Sequence, residues 1–162
     1  MKKAYISILI AFIIVALIYQ IYKKMDSITK NFTWSEMLRT GTGLNNEPNA
    51  TQKANIEYFV KNTLQPLRDY LNKPIQVTSG FRSKAVNDAV GGVSNSAHLF
   101  NDGYGASDIK VKGYSDRQLW ELIKQANKEG VLIFDQNILE PSWVHLATNK
   151  TDSKNRLSSF EV

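Results

Sequence analysis

The hexapeptide Ala106-Ser107-Asp108-Ile109-Lys110-Val111 decides the fold, because its side chains alternate in chemistry as a strand alternates in direction. Ile109 and Val111 fall on one face, Ala106 and Asp108 on the other. Further along, Trp143-Val144-His145-Leu146-Ala147 repeats the device, with Val144 and Leu146 facing one way and His145 the other. Two such strands describe a half-buried sheet. The expected architecture is α+β, a small antiparallel sheet with helices on one face and polar ligands on the opposite one.

Working outward, Ile56, Phe59, Val60, Leu64, Leu67 and Leu71 recur at helical intervals and predict a one-sided helix, interrupted at Pro66. A short strand over Pro74 to Ser79 follows, then a turn at Gly80 and a short helix from Ser83 to Val90, stopped by Gly91 and Gly92. Ser115 and Gln118 make a capping box for an amphipathic helix carrying Leu119, Trp120, Leu122, Ile123 and Ala126 and ending at Gly130. Val131 to Glu140 and Trp143 to Ala147 read as two strands joined by a tight turn at Pro141 and Ser142.

The chain has 162 residues, enough for one compact domain. It has no cysteine, so any metal site must use nitrogen and oxygen ligands. Of the formal net charge of +5, Lys2, Lys3, Lys23 and Lys24 supply four, and the rest of the chain is nearly neutral. That distribution suits an anionic bilayer and excludes a nucleic-acid groove, which needs a basic stripe within the folded domain. Between the lysine pairs, Ala4 to Tyr22 forms 19 residues without charge. This run predicts a transmembrane helix, and the absence of small residues after it favours an uncleaved signal anchor over a cleaved leader. Tyr5, Tyr19 and Tyr22 suit its edges. The expected division is a membrane anchor over 1–25, a tether and docking loop over 26–47 in which Trp34 and Leu38 meet the core, a catalytic domain over 48–150, and a C-terminal tail over 151–162.

The two histidines of the chain, His98 and His145, each sit among polar residues rather than in an apolar helical stripe. With Asp108 on the same sheet face as His145, two imidazoles and a carboxylate would leave a fourth zinc position open, as a catalytic site requires and a structural site avoids.

Several ordered elements then carry a family resemblance: Val77-Thr78-Ser79-Gly80-Phe81-Arg82-Ser83, Gly91-Gly92, Ser96-Ala97-His98, Gly105-Ala106-Ser107-Asp108-Ile109 and Trp143-Val144-His145. From about Phe32 to Ala147 the chain resembles the zinc D-alanyl-D-alanine carboxypeptidases and L-alanyl-D-glutamate endopeptidases, most of all their phage and bacterial branch. The resemblance implies a Zn²⁺ ion held by His98, Asp108 and His145 in a zinc peptidase domain acting on peptidoglycan stem peptides. It implies Arg82 facing the substrate as a catalytic and binding residue, Ser96 and Asn87 as further substrate-binding residues, and an acidic base shortly before the last histidine. Glu140 is the choice for that base, with Asp135 as the alternative.

The loop from Leu99 to Ser107 is longer than is usual in the family and contains Asn101, Asp102 and Gly103, placing Asp102 as a residue able to approach the metal or reshape the cleft. The expectation is a monomeric, membrane-anchored, single-pass enzyme whose catalytic domain lies outside the cytoplasm. The competing expectation is a catalytically inactive wall-binding or phage structural module of the same fold.

Overall fold

The computed structural model describes residues 2–162, with side chains described for all of these except residues 2–4, 6, 7 and 9. Helix α1 (Lys2–Asp26) leads to a short α2 (Trp34–Met37), which opens with a capping box between Thr33 and Glu36. Phe32 and Met37 are fully buried, and Trp34 and Leu38 pack against the same core.

A second capping box, Asn49 with Gln52, starts α3 (Ala50–Phe59). Its apolar stripe runs on through a π-helical turn (Val60–Leu64) into α4 (Gln65–Leu71). Every predicted member of the stripe is buried, Ile56, Phe59, Val60, Leu64, Leu67 and Leu71. At roughly 1.5–3 kcal/mol for each buried side chain, the stripe contributes on the order of 10 kcal/mol gross, which outweighs a local irregularity in the helix. That irregularity is the expected interruption at Pro66. Proline has no N–H to offer the preceding turn, and the chain meets it with the widened turn, in which the Gln65 N–H reaches the Val60 carbonyl.

The sheet contains β1 (Ile75–Ser79), β2 (Tyr104–Val111), β3 (Gln136–Leu139), β4 (Val144–Asn149) and β5 (Ser158–Glu161), in the order β1-β2-β4-β3-β5. All neighbours are antiparallel except β3 and β5, which are parallel, so the expected antiparallel sheet is a mixed one. Between β1 and β2 lies α5 (Lys84–Ala89), capped by Ser83, and between β2 and β3 lies α6 (Asp116–Lys128), which opens with the predicted Ser115–Gln118 capping box. Strand β3 begins at Gln136 rather than Val131, because Leu132 and Phe134 enter the core from an irregular segment. Val77, Ile109, Val111, Val144 and Leu146 face that core. Trp120 Nε1 donates to the Asn137 carbonyl and Asn137 Nδ2 to the Trp120 carbonyl, which fixes α6 to β3.

The α+β class holds, but the transmembrane helix expected over residues 4–22, and with it the single-pass anchor holding the domain outside the cytoplasm, is corrected: among the described residues no helix is long and apolar enough to cross a membrane. Part of that run, residues 4, 6, 7 and 9, and the flanking Lys2 and Lys3 lie outside the described side chains.

Candidate metal centre

Asp108 and His145 are cross-strand partners in β2 and β4, so the pleat sends both to the face away from the core helices. His98 arrives from elsewhere, a 3-10 turn (Ala97–Leu99) whose first N–H groups are capped by Ser96, with Ser96 Oγ accepting from the His98 N–H at 3.3 Å. This turn is tied to the chain leaving β1: the Arg82 N–H donates to the His98 carbonyl at 2.8 Å, and His98 Nδ1 donates to the Gly80 carbonyl at 2.7 Å. A carbonyl can only accept, so Nδ1 carries the proton of the neutral ring and Nε2 keeps its lone pair. Gly80 is required at this crossing, since a Cβ there would lie 2.4 Å from the Met37 carbonyl oxygen.

Three ligand atoms then converge. His98 Nε2 lies 3.2 Å from Asp108 Oδ1, His145 Nδ1 lies 3.0 Å from the same oxygen, and the two ring nitrogens are 3.2 Å apart. A tetrahedron around zinc with bonds of about 2.0–2.1 Å has edges of about 3.3–3.4 Å, so the spacing fits one shared ion. Among the described residues, His98, Asp108 and His145 form a group able to hold a metal, and Asp102 is not part of it.

The protonation states suit that use. Burial pushes the His98 pKa down, against the upward pull of Asp108, and favours the neutral ring. Burial alone would raise the Asp108 pKa, but the neighbouring His145 and His98 outweigh it and hold the carboxyl well below the usual carboxylate range. A neutral imidazole and an ionised carboxylate are the forms a divalent cation binds.

Arg82 stands behind Asp108. Its Nη2 donates to Asp108 Oδ2 at 2.8 Å and its Nε to Ser79 Oγ at 2.9 Å, which turns Oδ1 toward the imidazoles. Two cavities flank the cluster. One, of about 630 Å³, reaches His145 and is lined by Ser96, Asp102 and Tyr104 among others; the other, of about 790 Å³, reaches Asp108 and is lined by Arg82 and Trp143. Arg82 and Ser96 thus border open space beside the ligand cluster.

The remaining expected site residues are placed differently. Asn87 is only 1% exposed, spends Nδ2 on the Val93 carbonyl, and lines neither cavity. Glu140 directly follows β3, with its N–H on the Trp143 carbonyl across the predicted Pro141–Ser142 turn. It lies two residues past Ile138, the partner of His145, and lines neither cavity. Asp135 is buried and both of its carboxylate oxygens accept from Arg156. Two contributors escaped the sequence reading. The Gly80 carbonyl orients His98, and the signal for it was the turn glycine itself. Arg156 lines the first cavity from the C-terminal tail, and no local pattern announced it.

A model of the Peptidase M15 family matches residues 30–147 of the chain. No curated protein matches it. Residues 148–162, which include Arg156 and β5, lie beyond the matched region.

Proposed function

Because the chain belongs to the peptidase M15 family, whose members are zinc-dependent peptidases, we propose that it hydrolyses amide bonds in the stem peptides of peptidoglycan at the His98, Asp108 and His145 cluster. The observation that carries this reading is the convergence of His98 Nε2, His145 Nδ1 and Asp108 Oδ1 within 3.2 Å, with the His98 tautomer set by the Gly80 carbonyl. Three nitrogen and oxygen ligands leave a position for reactants, which a structural zinc site does not. Zinc bound there supplies Lewis acidity to a scissile carbonyl and to a water molecule.

The protein residues divide the remaining tasks. Arg82 holds Asp108 in place and lines the second cavity, where its guanidinium stabilises negative charge developing on the substrate oxygen. Glu140 is the general base. It lies two residues past Ile138, the partner of His145, and a diagonal separation of about 7–8 Å between neighbouring strands is one that a glutamate side chain and one water span. Asp135 is unsuited to that task because Arg156 occupies both of its oxygens. Ser96 lines the cleft beside His145 and offers a hydroxyl to the peptide.

The test is digestion of purified peptidoglycan by the full chain, with products identified by mass spectrometry. The zinc-loaded protein is expected to release new peptide termini, and chelation or His98→Ala to abolish release. Equal digestion by the chelated protein or by His98→Ala overturns the assignment.

A further inference from the structure

The wall of the cavity beside His145 is completed by a residue from outside the region the family model matches. The tail after β4 returns along the sheet edge as β5, parallel to β3, and on the way presents Arg156. Its guanidinium is aimed by a buried carboxylate: Nε donates to Asp135 Oδ1 at 2.8 Å and Nη2 to Asp135 Oδ2 at 2.6 Å, while the Arg156 backbone N–H donates to Oδ1 at 3.0 Å. Asp135 is 1% exposed, whereas the Arg156 side chain is 59% exposed and borders the cavity that reaches His145. A guanidinium has five N–H donors in a planar fork, and two of them meet Asp135. Among the described residues Nη1 donates to nothing. A cation on a long, flexible side chain has thus been fixed in one orientation at the edge of the cleft, and the loss of rotamer freedom on binding an anion has been met in advance.

Neutral donors and one further carboxylate, Asp102, share its cavity. Ser96 and Gln136 line the same cavity, and Tyr104 lies near enough to act on the Arg156 charge. Arg82 lines the cavity that reaches Asp108 and Arg156 the cavity that reaches His145, so the two guanidiniums border the cluster from different cavities.

We propose that Arg156 is a specificity-determining residue that receives a carboxylate of the peptide lying on the His145 side of the cleft. The inference rests on the peptidase reading of the metal cluster. Arginine suits this because its fork matches a carboxylate, and a charge-assisted hydrogen bond exceeds one to a neutral amide.

The experiment uses the full zinc-loaded chain and two synthetic stem peptides that differ at one acidic residue, its carboxylate free in one and capped as a carboxamide in the other. The free acid is expected to be cleaved with a kcat/KM about tenfold above that of the amide, the difference lying in KM. Arg156→Gln is expected to erase the preference, and Arg156→Lys, which keeps the charge and the contact with Asp135, to retain part of it. A merely structural role for Arg156 would lower activity on both peptides alike and leave their ratio unchanged. Equal cleavage of the two peptides by the parent protein, or a full preference in Arg156→Gln, overturns the proposal. Where Arg156→Gln does not fold, the parent protein and Arg156→Lys decide. Calorimetric binding of the same peptides separates the two readings: tighter binding of the acid without any cleavage sinks the peptidase assignment and upholds the role of Arg156, while cleavage with equal affinities does the reverse.

Discussion

Asp108 and Asp135 are both buried aspartates paired with an arginine, and they serve different ends. Asp108 shares its carboxylate between Arg82 on one oxygen and two imidazoles on the other. Asp135 gives both oxygens to Arg156, and among the described residues no histidine stands beside it in a metal-binding group. Their settings explain the difference. Asp108 lies within β2 opposite His145, where the pleat fixes its direction. Asp135 precedes β3, where its backbone N–H bonds the Ala147 carbonyl and its carbonyl accepts from the Ser158 N–H, so the whole residue acts as a clasp between β4, β3 and β5. The lesson is that burial and an arginine partner do not mark an active carboxylate. The unshared oxygen does.

The comparison breaks most visibly if Asp108 behaves as a structural residue. Asp108→Asn keeps the shape and removes the charge that a divalent cation needs, so stoichiometric zinc should be lost on dialysis and peptidase turnover should fall by about a thousandfold, roughly 4 kcal/mol of transition-state stabilisation. Metal analysis of the purified variant checks the first and muropeptide release the second. A variant that keeps its zinc and turns over within tenfold of the parent would place Asp108 beside Asp135 as a clasp.

A smaller effect is expected one step behind the ligands. Gly80→Ala puts a methyl group where the Met37 carbonyl oxygen lies 2.4 Å away, and backbone cannot yield as a side-chain tip would. The chain must shift, and with it the Gly80 carbonyl that holds His98 Nδ1. Loss of such an orienting bond lowers metal affinity by about 10- to 100-fold. Competition with a chromogenic chelator measures this, and an unchanged affinity in a folded Gly80→Ala protein would show that the turn does not set the ring.

These two expectations also mark how far the sequence was legible. The stripe from Ile56 to Leu71, the Ser115–Gln118 capping box and the two alternating strands were readable because period and chemistry agree locally, and the strands already put Asp108 and His145 on one face. That His98 would join them was not local information. It depends on the bond from its Nδ1 to the Gly80 carbonyl and on the Arg82 N–H, partners set well apart along the chain. Strand β5 was missed for a related reason: Ser158-Ser159-Phe160-Glu161 has no alternation, and what holds it is the Asp135 clasp and pairing with β3. The apolar run near the N-terminus shows the opposite error, a composition strong enough to suggest a membrane span that the described helix does not meet.

The smallest effect is expected at Asp135, and it sharpens the contrast. In Asp135→Asn one amide oxygen still accepts from the Arg156 N–H and Nε, but the amide nitrogen faces Nη2, so one charged bond is lost. Arg156 is more than half exposed and is readily solvated, which keeps the cost below the several kcal/mol of a fully buried pair. The backbone bonds to Ala147 and Ser158 do not depend on the side chain. Stability should fall by about 1–2 kcal/mol, a melting temperature lower by roughly 3–8 °C, with zinc content unchanged. If zinc were lost together with stability, the two aspartates would belong to one network and the metal cluster would depend on the sheet edge; if only stability moves, the ligand set is held from the β1 side alone, through Gly80, Ser79 and Arg82.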